Sequence, residues 1–204
     1  MIDLHSHILP GLDDGPATLE ESLEIARRAA ADGVRVIAAT PHVRDDYPTE
    51  AVTMKRAVAE LRGVIQKEGI PIEVRPGGEI AIDWLDRLAE DDLIRFGLGG
   101  SPRYVLVEFP YAGWPLSLHE WIFRLVTKGV TPVIAHPERN SEVQDDPSEL
   151  RPLVDAGALV QITAASLDDP ELARWLTVDV PMAIITDGIP PRRPAARKKG
   201  FLRR

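Results

Sequence analysis

Cysteine is absent from the 204 residues. That excludes disulfides, thiolate nucleophiles and thiolate metal ligands, so any metal must be held by nitrogen and oxygen. No apolar run approaches the length of a membrane span, and the expectation is a chain with no transmembrane segment. The opening MIDLHSHILPG lacks a basic stretch followed by an apolar one. No signal peptide is therefore expected, and the expected location is cytoplasmic. The glycine pairs Gly77-Gly78 and Gly99-Gly100 do not open a helix after a strand in the manner of a nucleotide-binding loop. No internal repeat or low-complexity tract precedes the tail.

Net charge is −8, and it is unevenly spread. Residues 192–204, RRPAARKKGFLRR, hold seven basic residues and no acid, so the body without them carries −15. An acidic body argues against nucleic acid as a partner and suits clustered carboxylates, although most acids belong on solvated helix faces. The expected organisation is one domain over 1–191 followed by a basic tail over 192–204. The tail is either a solvated end or a dock for an acidic surface.

Short apolar runs alternate with helical stretches. The runs are IDLH (2–5), VRVIAAT (34–40), IEVRPG (72–77), YVLVEF (104–109), TPVIAH (131–136), ALVQIT (158–163) and PMAIIT (181–186). They are rich in β-branched residues and apolar along most of their length, as strands buried on both faces are. Helices are expected from the Thr18-Leu-Glu-Glu21 capping box to Gly33, over 49–68, and over 83–90, 116–128, 147–156 and 170–176. Strands alternating with helices imply parallel pairing in an α/β fold, either an open sheet or a closed barrel.

Of the five histidines, His5, His7, His42 and His136 fall at the C-terminal ends of expected strands. His119 lies within an expected helix and is read as structural. Glu79 follows the third strand, Glu108 ends the fourth, and Asp187 follows the seventh. In parallel barrels that rim is where active sites are built. His5-Ser6-His7 has the i, i+2 spacing that turns two imidazoles to one side of a strand. Glu79 ends the glycine-rich turn PGGE, where backbone and ions can approach closely. Glu108 is a charge inside an apolar run and needs a partner or a metal. Asp13 and Asp14 could each be turn residues, and Asp14 is favoured as a ligand. The nitrogen and oxygen donors suit manganese, iron or zinc. Arg139 could fork two donors onto a phosphate.

The motifs MIDLHSHILPGLDDGP, TPH (40–42), GGEI (77–80), VEFP (107–110) and AHPER (135–139) occur in order. They resemble the PHP-superfamily metal-dependent protein-tyrosine phosphatases of the CpsB/CapC type over residues 1 to about 165. The resemblance implies a PHP-type distorted seven-stranded (β/α)7 barrel. It implies three divalent ions, usually Mn2+, and the expectation for this chain is two to three, with Fe or Zn as substitutes. By that resemblance His5, His7, Glu79 and Asp187 hold one ion and Glu79, Glu108 and His136 a second, while Asp14 and His42 belong to a third. Arg139, His136 and Asp187 would act at the phosphate. The implied substrate is a phosphotyrosine protein, a bacterial tyrosine kinase of capsule or exopolysaccharide synthesis.

The family also often forms rings through its first helices. A homo-oligomer through EESLEIARRAA is thus one expectation, and a merely amphipathic helix the other. The family's Asp-x-His pair reads Asp187-Gly188-Ile189 here, with isoleucine in the histidine position. Arg192 or Arg193 would stand for a second phosphate-binding arginine. Two other functions fit the sequence: a phosphoesterase of small-molecule phosphates, and a weakly active metal-binding protein that mainly binds its kinase.

Overall fold

A computed structural model describes residues 1–115 and 117–163. The expected strand 181–186, the helix 170–176 and the boundary at 191/192 lie outside the described residues. So do Asp187, Ile189, Arg192, Arg193 and the tail. Among the described residues no helix is long and apolar enough to cross a membrane.

In chain order the unit Met1–Gln161 holds β1 (Ile2–Ser6), α1 (Leu19–Ala31), β2 (Val36–Ala39), β3 (His42–Arg44), β4 (Tyr47–Pro48), α2 (Ala51–Lys67), β5 (Glu73–Pro76) and β6 (Glu79–Ala81). There follow α3 (Glu90–Arg95), β7 (Tyr104–Glu108), α4 (Leu118–Thr127), β8 (Thr131–Ala135), α5 (Ser141–Asp145), α6 (Arg151–Asp155) and β9 (Leu159–Gln161). Short 3-10 turns cover Ile82–Trp84, Leu98–Gly100, Pro137–Arg139 and Pro147–Leu150.

The fold is mixed α/β with parallel sheets. One sheet has the order β1-β2-β5 and the other β4-β3-β6-β7-β8-β9. Among the described strands every pairing is parallel except β3 with β4. The two sheets are one row of strands broken twice. Thr40-Pro41 separates β2 from β3, and Gly77-Gly78 separates β5 from β6. Proline at 41 cannot donate to a ladder. The glycines permit a close approach: a Cβ at 78 would lie 2.6 Å from Phe96 Cδ1, and one at 77 would lie 3.3 Å from the Ala39 carbonyl. The second half of each broken strand begins with a chemically active residue, His42 or Glu79.

The helices follow from their sequences. Thr18 and Glu21 complete the capping box, the Glu21 N–H donating to Thr18 Oγ1 at 3.3 Å and the Thr18 N–H to Glu21 Oε2 at 3.0 Å. Met54, Val58, Leu61 and Ile65 place one apolar stripe of α2 in the core. Val105, Leu106 and Val107 of β7 are all fully buried, as a strand covered on both faces requires.

Three expectations are corrected. The helix over 83–90 is instead a 3-10 turn followed by α3, because the apolar residues Leu93 and Phe96 that anchor the helix in the core lie beyond 90. The 147–156 helix divides into a 3-10 turn and α6. The strand ends at 40 and 77 are breaks, with new strands beyond them.

Candidate metal centre

Strand register brings the expected ligands to one rim. His42 is paired directly with Glu79, Ala81 with Glu108, and Ala135, just before His136, with both Glu108 and Gln161. His5 and His7 come from the end of β1 and the residue beyond it. His119, on α4, is exposed.

Glu79 is the hub, with no solvent exposure. Its Oε1 lies 2.8 Å from His136 Nε2. Around Oε2 stand His5 Nε2 and His7 Nε2, each at 3.2 Å, and His42 Nδ1 at 3.1 Å. Yet neither Glu79 Oε2 nor His42 Nδ1 makes an aligned hydrogen bond, and both are buried. His5 Nε2 and His7 Nε2 are 3.3 Å apart. Donors about 3.0–3.4 Å apart are what ligand bonds of about 2.0–2.1 Å to one ion would produce. The residues present therefore fit a divalent cation: unsatisfied buried donors, all nitrogen or oxygen, around one carboxylate.

Among the described residues, three groups of donors each lie within 4.8 Å of one another: His5, Glu79 and His136; His7, His42 and Glu79; and His7, Asp13 and Asp14. Glu108 stands beside them, its Oε2 3.5 Å from His42 Nδ1 and 3.3 Å from Arg44 Nη1. Asp14 sits at the edge, with its side chain 56% exposed and its Oδ1 3.5 Å from His42 Nε2 and 3.7 Å from His7 Nδ1. Arg139 is exposed at the end of the 3-10 turn after His136. It has no ion pair among the described residues.

Two orienting residues were not anticipated. The Asp13 side chain is buried, and its Oδ2 accepts from His7 Nδ1 at 2.6 Å and from the His42 backbone N–H at 3.0 Å. Gln161 Oε1 lies 2.9 Å from His5 Nδ1. Each bond fixes one ring nitrogen and turns Nε2 toward Glu79, as carboxylates and amides do behind metal-bound imidazoles. Gln161 had a signal in the sequence: like Glu108, it is a polar residue inside an apolar run.

Electrostatics follow from this packing. Burial alone would push the Glu79 carboxyl up, but the hydrogen bond to His136 and the imidazoles of His5 and His7 close to Oε2 hold it well below the carboxylate range. Burial disfavours the His7 imidazolium, but Asp13 and then Glu79 lift its pKa to about 10. Asp13 is held low against burial by His7 and by the Gly15 and His42 N–H groups. Burial pushes His42 down and Glu108 up, the latter helped by the charge on Glu79. Without a cation, the raised His5 and His7 favour a proton beside Glu79 and Asp13.

The chain has a parallel α/β scaffold with imidazoles and carboxylates gathered on one rim as candidate metal ligands. The sequence profile described as capsular polysaccharide synthesis, CpsB/CapC, matches residues 1–170. The chain belongs to the CpsB/CapC family. It is 42% identical over 170 residues to the tyrosine-protein phosphatase YwqE of Bacillus subtilis, the match covering 82% of this chain and 66% of that relative. It is 29% identical over 174 residues to the tyrosine-protein phosphatase CpsB of Streptococcus pneumoniae, covering 84% of this chain and 70% of that one. The chain thus spans just under two thirds of the Bacillus relative. A solved structure described with YwqE and CpsB as "unique metal-dependent tyrosine phosphatases" superimposes with a TM-score of 0.74 at 40% identity, over 82% of this chain and 68% of that one.

Proposed function

We propose that this chain is a metal-dependent phosphomonoester hydrolase, a cytoplasmic protein-tyrosine phosphatase acting on a bacterial tyrosine kinase of capsule or exopolysaccharide synthesis. The observation that carries this reading is the unsatisfied Glu79 Oε2 among three imidazole nitrogens at 3.1–3.2 Å. The family relationship and the phosphatase names of its relatives support it.

His5, His7, Glu79 and Asp187 would hold one ion, Glu79, Glu108 and His136 a second, and Asp14 and His42 a third where three are bound. Manganese fits this set, as do iron and zinc. Bound divalent ions lower the pKa of water and draw charge from a phosphate. The chain's own work is orientation. Asp13 and Gln161 hold His7 and His5 with Nε2 inward. Arg139, close to His136, supplies planar paired donors that can take two phosphate oxygens and stabilise developing charge. By the same reading His136 and Asp187 would act at the phosphate.

The same reading makes the broken row of strands a distorted (β/α)7 barrel. Its first and last described strands are already linked by the His5–Gln161 bond. Assembly through α1, whose Leu19 and Ile25 are exposed, belongs to the reading as well.

The test is metal analysis alongside turnover of phosphotyrosine peptides, phosphoserine peptides and sugar phosphates. Bound divalent metal with preferential phosphotyrosine hydrolysis is expected. Metal-replete protein that hydrolyses none of these esters would overturn the reading.

A further inference from the structure

A cavity of about 520 Å3 adjoins the metal centre. Glu108 and Arg44 line it and also belong to the cluster around His42 and Glu79. Its volume lies in the range, about 300–1,000 Å3, of sites that take small organic groups. The apolar wall is Ile82, Phe109, Tyr111, Pro115 and Trp121. Its position follows from the strands: Ile82 comes just after β6, and Phe109 directly follows Glu108 of β7. Tyr111 and Pro115 lie on the connection to α4, and Trp121 lies in the first turns of that helix. Trp114 packs edge-on against Phe109 at 5.7 Å and backs the wall. Tyr111 keeps 57% of its surface exposed.

The polar lining narrows the choice of occupant. Arg44 is a cation with donors to spare. Its Nη1 makes a long contact of 3.3 Å to Glu108, and its buried Nε makes no aligned bond although Asp46 Oδ1 is 2.8 Å away. The rim beyond it is acidic. Asp45 is held by Arg87 and the Trp84 indole, and exposed Asp83 has no ion pair among the described residues. One phosphate beside Arg44 is compatible with that rim, whereas a ligand with several phosphates is repelled. Flat aromatic walls favour a flat ring.

We infer that this cavity is the leaving-group site, taking the aromatic ring of an aryl phosphomonoester with its phosphate against Arg44 and the metal cluster. The inference rests on the proposed phosphatase reading and adds to it a ring site and the residues that select it.

Calorimetric titration of manganese-loaded protein with phenylphosphonate and methylphosphonate tests the site. Burying one ring is worth roughly tenfold or more in affinity. Wild type is expected to prefer phenylphosphonate by that factor. Tyr111→Ala and Trp121→Leu should bring the preference most of the way to one, with methylphosphonate affinity nearly unchanged. Phe123→Ala, exposed on α4 and not in the lining, should leave it intact. Tyr111 is on an exposed connection, so its variant still reports if Trp121→Leu fails to fold. A wild-type preference near one, no binding of either phosphonate, or a preference unchanged in both cavity variants would overturn the ring site. Turnover of p-nitrophenyl phosphate by the same samples separates the two ideas. A cavity-dependent preference without any turnover retains the site and removes the phosphatase reading. Turnover with a cavity-independent preference does the reverse.

Discussion

Asp13 Oδ2 lies 2.6 Å from His7 Nδ1, and the carboxylate is anchored further by the backbone N–H groups of His42 and Gly15, each at 3.0 Å. The aspartate fixes both the tautomer and the angle of the ring. Asp13→Asn keeps the shape but lowers the basicity delivered to His7. Metal affinity is expected to fall about 10–100-fold. Asp14→Ala, at a half-exposed position, should cost less. Metal titrations of the two variants check the order, and an equal or larger loss for Asp14→Ala would refute it.

The same contact predicts how the metal-free protein responds to pH. His7 titrates at about 10 in the fold against an ordinary 6.5. Its folded pKa is the higher one, so its stabilisation is fully present below 6.5 and is lost as pH rises toward 10. Glu108, also raised, loses stabilisation in the same direction, while His42, lowered, acts oppositely and below its ordinary value. Glu79 and Asp13 are depressed, so their contribution is lost toward acid. Melting temperature in chelator should therefore decline from pH 6.5 upward, and His7→Gln should flatten that decline. Added divalent metal should raise the melting temperature most at the alkaline end, where imidazoles no longer need to lose protons to bind. A metal-free melting temperature that climbs between pH 7 and 9 would contradict this assignment.

Much of the rim was legible because metal chemistry uses few residue types. His5, His7, His42, Glu79 and His136 stood out as polar residues at the ends of apolar runs, and the fold brings all five together. The adjacent carboxylates Asp13 and Asp14 carry the same local signal. What separates them is which one turns inward, and tertiary packing decides that. The breaks at Thr40-Pro41 and Gly77-Gly78 looked like strand ends because proline and glycine interrupt the apolar pattern. Pairing beyond them needs only three residues each, too few for periodicity to register. α5 was missed for the same reason, being five residues started by the Asn140 cap.

His136 has φ 31° and ψ 52°, left-handed for a residue other than glycine. That backbone turns the chain from β8 into the Pro137–Arg139 turn, and the His136 N–H still donates to the Gln161 carbonyl at 2.7 Å. Asparagine tolerates this region and β-branched residues do not. In chelator, His136→Val should be less stable than His136→Asn by about 1–2 kcal/mol, although both remove the imidazole. Urea unfolding of the pair measures the difference. Equal stabilities would mean that the turn relaxes freely and stores no strain.

Arg139 tests catalysis apart from metal binding. It ends the turn that His136 begins, it is exposed, and no described carboxylate holds it. Removing it should therefore leave fold and metal content nearly unchanged. A preorganised donor on a developing anion is worth about 10²–10³ in rate. Arg139→Ala is expected to lose that much turnover on p-nitrophenyl phosphate at saturating metal. Arg139→Lys should recover part of it, since an ammonium restores the charge but not the paired geometry. If Arg139→Ala matches wild type in kcat and KM, the guanidinium does not meet the phosphate. If it loses metal in proportion to activity, its role is to hold the His136 turn rather than to contact the substrate.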